Sequence, residues 1–171
     1  MCKIADVVVV GGVRRSALIS LSNLGDDQMR HAKSGEWRYI APHRSCANNS
    51  VSYTQGITTG SFLREWEALY ESKSGERGIF NRKAAQEQAA KYGRRESDIE
   101  YGTNPCSEII LRPKQFCNLS EVVVREEDTP ETLQKKIELA TILGTIQSCF
   151  TDFKGLGRQW VKNTEEERLL G

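Results

Sequence analysis

The sequence has little histidine, little proline and no long apolar run, and each scarcity excludes a class of protein. Only two histidines and four prolines occur among its 171 residues. No apolar stretch approaches the roughly 18 residues that a membrane-spanning helix needs. The formal net charge is +1, with 27% charged residues, and no block of one sign occurs. Neither a membrane nor a nucleic acid is therefore an expected partner.

Cysteine is present, but in a pattern that does not indicate a framework of disulfides. The number is odd, the spacing is irregular and no Cys-x-x-Cys pair occurs, so a secreted disulfide scaffold is not expected. With only two histidines available, no metal ligands are assigned. Asp6 interrupts the short apolar stretch near the N-terminus, which argues against a signal peptide and favours a cytoplasmic location. The cysteines are Cys2, Cys46, Cys106, Cys117 and Cys149.

Short β-branched segments alternate with helical ones along the chain, which favours an α/β architecture with a largely parallel sheet or barrel. The segment 7–10 fits a buried strand and the end of a buried helix equally well, because periodicity does not distinguish the two. Further strands are expected at 17–21, 50–53, 78–80 and 116–124, and helices at 23–33, 61–72, 81–92, 128–150 and 158–170.

Two of these helices differ in how their apolar residues are arranged. In 61–72 the residues Phe62, Trp66, Leu69 and Tyr70 share one face, which predicts an amphipathic helix. The helix 128–150 is apolar nearly all round, which is typical of a helix buried on most faces. A chain of 171 residues offers too little core to bury it, so the chain is expected to be part of something larger.

The residue types best suited to chemistry concentrate in the segment 103–108, Thr-Asn-Pro-Cys-Ser-Glu. Pro105 has a fixed backbone angle and pushes Asn104 toward an extended conformation, so Cys106 is expected on a tight loop. A second cysteine, Cys117, follows at the start of the next predicted strand. An amide, the Glu108 carboxylate and two cysteines can supply a hydrogen-bond donor, a general base and a redox thiol.

A lone cysteine is usually a small buried apolar residue. That interpretation is kept for Cys2, Cys46 and Cys149.

The segments 104–109, Asn-Pro-Cys-Ser-Glu-Ile, and 116–121, Phe-Cys-Asn-Leu-Ser-Glu, resemble the finger-loop region of ribonucleotide reductase large subunits. The upstream segment 11–17, Gly-Gly-Val-Arg-Arg-Ser-Ala, resembles the specificity loop of that family and the strand after it. Proline before the central cysteine is more like the adenosylcobalamin-dependent class II enzymes and their triphosphate-reducing branch. Further similar blocks lie at 47–51, 75–81 and 167–171.

The resemblance implies a fold and an activity. Residues 1–171 would be a partial catalytic domain, within a ten-stranded α/β barrel, with a specificity loop near 11–16 and a finger loop near 103–109. The implied reaction is the thiyl-radical reduction of ribonucleoside triphosphates, or diphosphates, to 2′-deoxyribonucleotides in an allosteric enzyme. The implied cofactor is adenosylcobalamin, bound mainly by regions absent from this chain, and the implied reductant is a thioredoxin-like protein or another dithiol.

The resemblance also implies roles for individual residues. Cys106 matches the cysteine that becomes a thiyl radical and takes the ribose 3′ hydrogen. Glu108 matches the carboxylate that takes the 3′-hydroxyl proton and so helps the 2′-hydroxyl leave as water. Asn104 matches the amide that holds substrate hydroxyls. Cys117 matches one of two cysteines that reduce the 2′ position and end as a disulfide.

Three further residues are assigned to substrate binding. Arg14 matches the specificity-loop arginine near the substrate base, although a plain surface arginine is the alternative for this position. Gly12 of the specificity loop and Ser107 of the finger loop are assigned with it.

The family enzyme is several times longer than this chain. The partner of Cys117, the substrate-phosphate site and the cobalamin region should therefore lie outside it. The isolated chain is expected to be inactive, and the missing flanking segments, as separate chains, are expected partners. Two alternatives stay open at this stage: a class I diphosphate reductase large subunit served by a diiron partner, and an inactive fragment that only associates with partner chains.

Overall fold

The computed structural model describes residues 1–6, 9–10, 13–14 and 17–171. They form two units, Met1–Ile110 and Leu111–Gly171. The helices are α1 (Cys2–Asp6), α2 (Asp27–Arg30), α3 (Trp37–Ile40), a 3-10 helix (Pro42–Cys46), α4 (Thr59–Ser72), α5 (Arg82–Tyr92), α6 (Pro130–Ser148) and α7 (Arg158–Glu166). The strands are β1 (Val9–Val10), β2 (Val13–Arg14), β3 (Ile19–Asn23), β4 (Asn48–Tyr53), β5 (Gly78–Asn81), β6 (Gly102–Thr103) and β7 (Ile110–Leu111).

The main sheet of the first unit has the order β3-β4-β5, and both of its strand pairs are parallel. Helices α2 and α3 lie in the connection from β3 to β4, and α4 lies in the connection from β4 to β5. Parallel neighbours need such crossover connections, so the predicted α/β class with a parallel sheet is confirmed. This is the largest sheet in the described part of the chain, and the ten-stranded barrel stays a prediction.

The central strand β4 is buried although most of its side chains are polar. Ser50, Val51 and Ser52 are all buried. Close packing against β5 depends on Gly78, because a Cβ atom there would lie 2.6 Å from the Ser50 hydroxyl oxygen. The apolar cluster of this unit is small, so buried polar groups take part in its packing. That cluster contains Phe80, Ala89 and Tyr101, with Leu21, Ala85, Ile99 and Ile110 against it.

A buried ion network joins α4 to α2 and to the residue before β5. Glu65 and Arg77 are each only 2% exposed. The Arg77 Nε donates to Glu65 Oε2 at 3.0 Å, and Arg30 donates to Glu65 Oε1 from Nε at 3.0 Å and from Nη2 at 2.9 Å. Arg77 also reaches the end of β3, where it donates to the Ser22 hydroxyl at 2.6 Å and to the Asn23 carbonyl at 3.2 Å.

The two arginines of this network respond differently to their surroundings. Burial lowers the pKa of Arg77 from its ordinary value, against the opposing attraction of Glu65. The hydrogen bond with Glu65 raises the pKa of Arg30.

Helix α4 does not present its expected apolar face to the core. Phe62, Trp66 and Tyr70 are exposed, whereas the positions that α4 buries are Glu65 and Ala68. The helix predicted at 61–72 is confirmed, but its aromatic residues lie on an exposed face. Its inward face is set by the ion pair of Glu65, since an unpaired charge in this position would be strongly destabilising.

In the second unit, α6 begins with Pro130 in its first turn, as the sequence predicts, but the capping box lies one residue later than the spacing of Asp128 and Glu131 suggests. The cap is Thr129, whose hydroxyl accepts from the Thr132 N–H while the Thr132 hydroxyl accepts from the Thr129 N–H. One side of α6 packs through Gly144, where an added Cβ would clash with Leu170 Cδ1.

The strand predicted at 116–124 is wrong. Only Asn118 in this segment makes a β-bridge, a parallel one with Leu170, and residues 119–121 are exposed. The backbone hydrogen bonds of this segment to 169–171 are made by Asn118 and Ser120.

The face of α6 opposite Gly144 carries an exposed apolar stripe. Phe150, which follows the helix, continues this stripe. Each member is between 55% and 65% exposed. Among the described residues, no helix is long and apolar enough to cross a membrane. We refer to this set as the α6 stripe; it consists of Leu139, Ile142, Leu143, Ile146 and Phe150.

Replacing Glu65 with alanine should lower the free energy of unfolding by about 3–5 kcal/mol, because Arg77 would keep a buried charge without its carboxylate partner. Urea denaturation measures the change. Glu67→Ala, at an exposed position of the same helix, should cost less than about 0.5 kcal/mol. Equal effects of the two substitutions would contradict the role given to the network.

The α6 stripe should make the isolated chain self-associate, because exposed apolar patches favour association and aggregation. The double variant Leu139→Gln/Ile146→Gln should reduce binding of an apolar dye and light scattering without lowering the melting temperature. Leu133→Gln is the control, since Leu133 is partly buried on α6 and its loss should destabilise. A sharp, cooperative melt of a monomer that binds no dye would argue against this prediction.

Candidate functional site

The predicted loop 103–109 lies between β6 and β7, and its two ends are buried while its centre is exposed. Thr103 and Asn104 are buried at one end and Ile109 at the other. Cys106 and Glu108 are exposed between them. The loop therefore presents a thiol and a carboxylate, two residues apart, on a turn with firmly packed ends.

Asn104 closes this turn from within. Its side-chain carbonyl Oδ1 accepts from the Ile109 N–H at 3.0 Å, and its backbone N–H donates to the Ile109 carbonyl at 3.3 Å. Its own carbonyl accepts from the Ser107 N–H at 2.9 Å. The side-chain Nδ2 of Asn104 has no hydrogen-bond partner among the described residues, so this amide retains a donor.

Ser107 adopts a left-handed backbone conformation, with φ of 66°. A non-glycine residue in this region costs on the order of 1–3 kcal/mol and persists only where neighbouring groups enforce it. Thr103 contributes to that enforcement, because its hydroxyl donates to the Asn104 carbonyl at 2.7 Å and lies 3.3 Å from the Ser107 hydroxyl. The turn is thus held in one conformation around Cys106.

Cys117 lies in the second unit, on an irregular segment and not on the strand predicted for it. It is partly buried between two anchored neighbours. The Phe116 ring packs against the rings of Phe153 and Trp160, at centroid distances of 4.6 and 4.7 Å. On the other side, Asn118 donates to the Leu169 carbonyl from its backbone at 2.9 Å.

The structure brings four of the seven predicted site residues together: Asn104, Cys106, Ser107 and Glu108 share one turn. Cys117 belongs to the other unit, and its role in the same reaction as Cys106 stays a prediction. Both cysteines are outside any disulfide.

Arg14 and Gly12 are the two site residues predicted from the specificity loop. The backbone of Arg14 lies in β2, antiparallel to β1 with Arg14 opposite Val9. Gly12 lies outside the described residues. The assignment of both to substrate binding stays a prediction. Among the residues that the structure describes, no cluster of three or more potential metal ligands occurs.

Sequence reasoning missed the residues that support the two candidate cysteines. The motif gives Thr103 no role of its own, although its hydroxyl stabilises the turn. Asn163 was not singled out at all, yet it is 2% exposed and contacts the turn that precedes Cys117. A threonine directly before the Asn-Pro pair was an available signal for the first, whereas no local signal marks the second.

Comparison with known proteins finds relatives in lactic acid bacteria. The chain is 36% identical over 127 residues to a protein of Lacticaseibacillus paracasei, 33% over 124 residues to one of Levilactobacillus brevis, and 35% over 127 residues to one of Lactobacillus leichmannii. Each match covers 70% of this chain and 16% of the relative. No family model matches the chain, and no solved structure matches it.

These similarities relate the chain to the ribonucleotide reductases, so the resemblance inferred from its motifs is confirmed. The three relatives are named adenosylcobalamin-dependent ribonucleoside-triphosphate reductases. The resemblance to that branch of the family is thereby confirmed as well. The chain spans about 16% of the length of the curated relatives it matches.

Asn104→Ala should open the turn, because the buried N–H of Ile109 would lose its acceptor. Leaving a buried donor unpaired costs about 1–3 kcal/mol, which urea denaturation can measure, and hydrogen exchange should accelerate at Ile109. Glu108→Ala, at an exposed position of the same turn, is the matched control and should leave both measurements nearly unchanged. Unaltered exchange at Ile109 in the Asn104 variant would contradict the closing role of Asn104.

Proposed function

We propose that this chain forms part of the catalytic site of an adenosylcobalamin-dependent ribonucleoside-triphosphate reductase. One observation carries the proposal. The buried Asn104 closes a turn on which Cys106 and Glu108, two residues apart, are exposed to solvent, in a chain related to such reductases. The part played by 1–171 is that of a partial barrel domain, with 103–109 as its finger loop.

Cys106 is proposed as the radical residue. A thiol S–H bond is weak enough to exchange hydrogen with a sugar carbon, so a Cys106 thiyl takes the 3′ hydrogen of the ribose and returns it at the end. Adenosylcobalamin, when bound, supplies the radical chemistry that starts this exchange. The exposure of Cys106 fits a thiol that a radical source must reach, and no residue of this chain is assigned to holding the cofactor.

Glu108 and Asn104 are proposed to handle the ribose hydroxyls. Glu108, exposed on the same turn, accepts the 3′-hydroxyl proton, which assists departure of the 2′-hydroxyl as water. The side-chain oxygen Oδ1 of Asn104 is used within the turn, where it accepts from the Ile109 N–H. Its Nδ2 is the group that would donate to a substrate hydroxyl.

Cys117 is proposed as one of the two reducing thiols. In the reduction, the 2′ C–O bond breaks and the oxygen leaves as water, while a C–H bond forms in its place. Two thiols, Cys117 and a second cysteine outside this chain, supply two electrons and become a disulfide. A thioredoxin-like protein or another dithiol then reduces that disulfide.

The remaining parts of the site would come from outside the chain. Ser107, Arg14 and Gly12 are proposed to contact substrate, and the flanking segments of a full-length reductase are the proposed partners. The class I diphosphate reductase and the inactive, partner-binding fragment are the alternatives that the experiment must separate from this proposal.

The direct test replaces the corresponding segment of the Lactobacillus leichmannii relative with this chain and assays each ribonucleoside triphosphate with adenosylcobalamin and dithiothreitol. Cys106→Ser should abolish both loss of the 3′ hydrogen label and deoxynucleotide formation, because a hydroxyl does not readily form the needed radical. Cys117→Ser should retain label loss and lose clean reduction. Cys149→Ser, at another exposed cysteine, should leave turnover nearly unchanged.

Several outcomes would overturn the proposal. Full turnover in the Cys106 variant would remove the radical role, and an inactive chimera in which the relative's own segment restores activity would favour the inactive fragment. Activity independent of adenosylcobalamin would favour the class I alternative. The chain by itself should give no deoxynucleotide, because the second reducing thiol and the phosphate site are proposed to lie outside it.

A further inference from the structure

The segment that leads into Cys117 is anchored by a residue distant in sequence. Asn163 lies on α7 and is 2% exposed. Its side-chain Nδ2 donates to two successive carbonyls, those of Pro113 and Lys114, at 2.9 Å each. Its Oδ1 accepts from Gln159 Nε2 at 2.7 Å, which orients the amide.

The turn that Asn163 contacts has a backbone that needs support. Lys114 has a φ of 59°, in the left-handed region that costs a non-glycine residue free energy. Directly after it, Gln115 is buried; it accepts from the Arg112 N–H at 3.0 Å and donates to Glu167 Oε2 at 2.7 Å. The chain is therefore fixed from Arg112 onward, up to the residue two before Cys117.

The segment is fixed on the far side as well. Asn118 donates to the Leu169 carbonyl from its backbone at 2.9 Å and from its side chain at 3.1 Å, and its own carbonyl accepts from the Gly171 N–H at 2.9 Å. Cys117 thus lies in a short span between two anchors. Among the residues that form these anchors, Asn163 is the one whose single buried side chain donates to two backbone carbonyls.

We propose that Asn163 is the positioning residue for Cys117, the residue that holds the reducing thiol in place through the Pro113–Lys114 turn. This inference rests on the proposed function for the catalytic importance of Cys117, but the placement itself is independent of it. Asparagine suits the task because one amide nitrogen carries two N–H groups. Aspartate has the same shape and no donor at that position when ionised.

The test is the alkylation rate of Cys117 in the full chain, measured with iodoacetamide and peptide mapping, relative to Cys106 in the same sample. Asn163→Asp should raise this ratio about tenfold or more, because the carbonyls of Pro113 and Lys114 lose their shared donor and the turn opens. A new carboxylate nearby would disfavour the thiolate and slow alkylation, so its charge cannot explain a rise. Lys162→Gln, an exposed neighbour on α7, should leave the ratio unchanged.

Gln159→Ala is a milder variant that removes only the hydrogen bond orienting the Asn163 amide, and it should raise the ratio by a smaller factor. Circular dichroism separates local opening from loss of α6 and α7. An increased ratio with unchanged helix content in either variant supports the proposal. Unchanged ratios in both variants, or a rise only where helix content is lost, would overturn it.

A second readout concerns chemistry. In the chimeric reductase, Asn163→Asp should lower the deoxynucleotide formed per 3′ hydrogen label released, which general destabilisation of the chain would not do. If Cys117→Ser leaves reduction intact, Cys117 is not a reducing thiol and the proposed function is wrong for that residue. The alkylation ratio still tests separately whether Asn163 holds Cys117 in position.

Discussion

The buried carboxylate of Glu65 is the constraint on which the first unit depends. A charge that is 2% exposed is tolerated only with good partners, and Glu65 has Arg77 and Arg30. Because Arg77 also bonds to the end of β3, one network joins α4, α2, β3 and the start of β5. The same requirement turns α4 so that its aromatic side chains face outward.

The candidate site uses a similar principle on a smaller scale. Buried residues at the ends of the 103–109 loop fix its path, and Asn104 joins these ends through Ile109. Since the anchoring groups are internal to the loop, Cys106 and Glu108 are left exposed, with their side chains available for chemistry. Rigid ends with exposed reactive groups are what a site needs if substrate must meet a thiol in a defined geometry.

The second unit supports Cys117 by contacts that are remote in sequence. Asn163, Gln115 and Asn118 fix the backbone before and after the thiol. The polar hydrogen bonds here take the place of the sheet ladder that the sequence pattern suggested for 116–124. The exposed α6 stripe on this unit is consistent with relatives that are much longer than this chain.

Local chemistry determined what the sequence could predict by itself. Asn81 caps α5 and Pro130 opens α6 because capping needs only residues within one turn of each other, and the Asn-Pro-Cys-Ser-Glu motif identified the loop and the family. The inward face of α4, the loss of the strand at 116–124 and the roles of Thr103 and Asn163 were decided only in the tertiary structure. Each depends on which distant donor, acceptor or charge is brought within hydrogen-bonding distance, and burial makes an unmet polar group too costly for local preference to override.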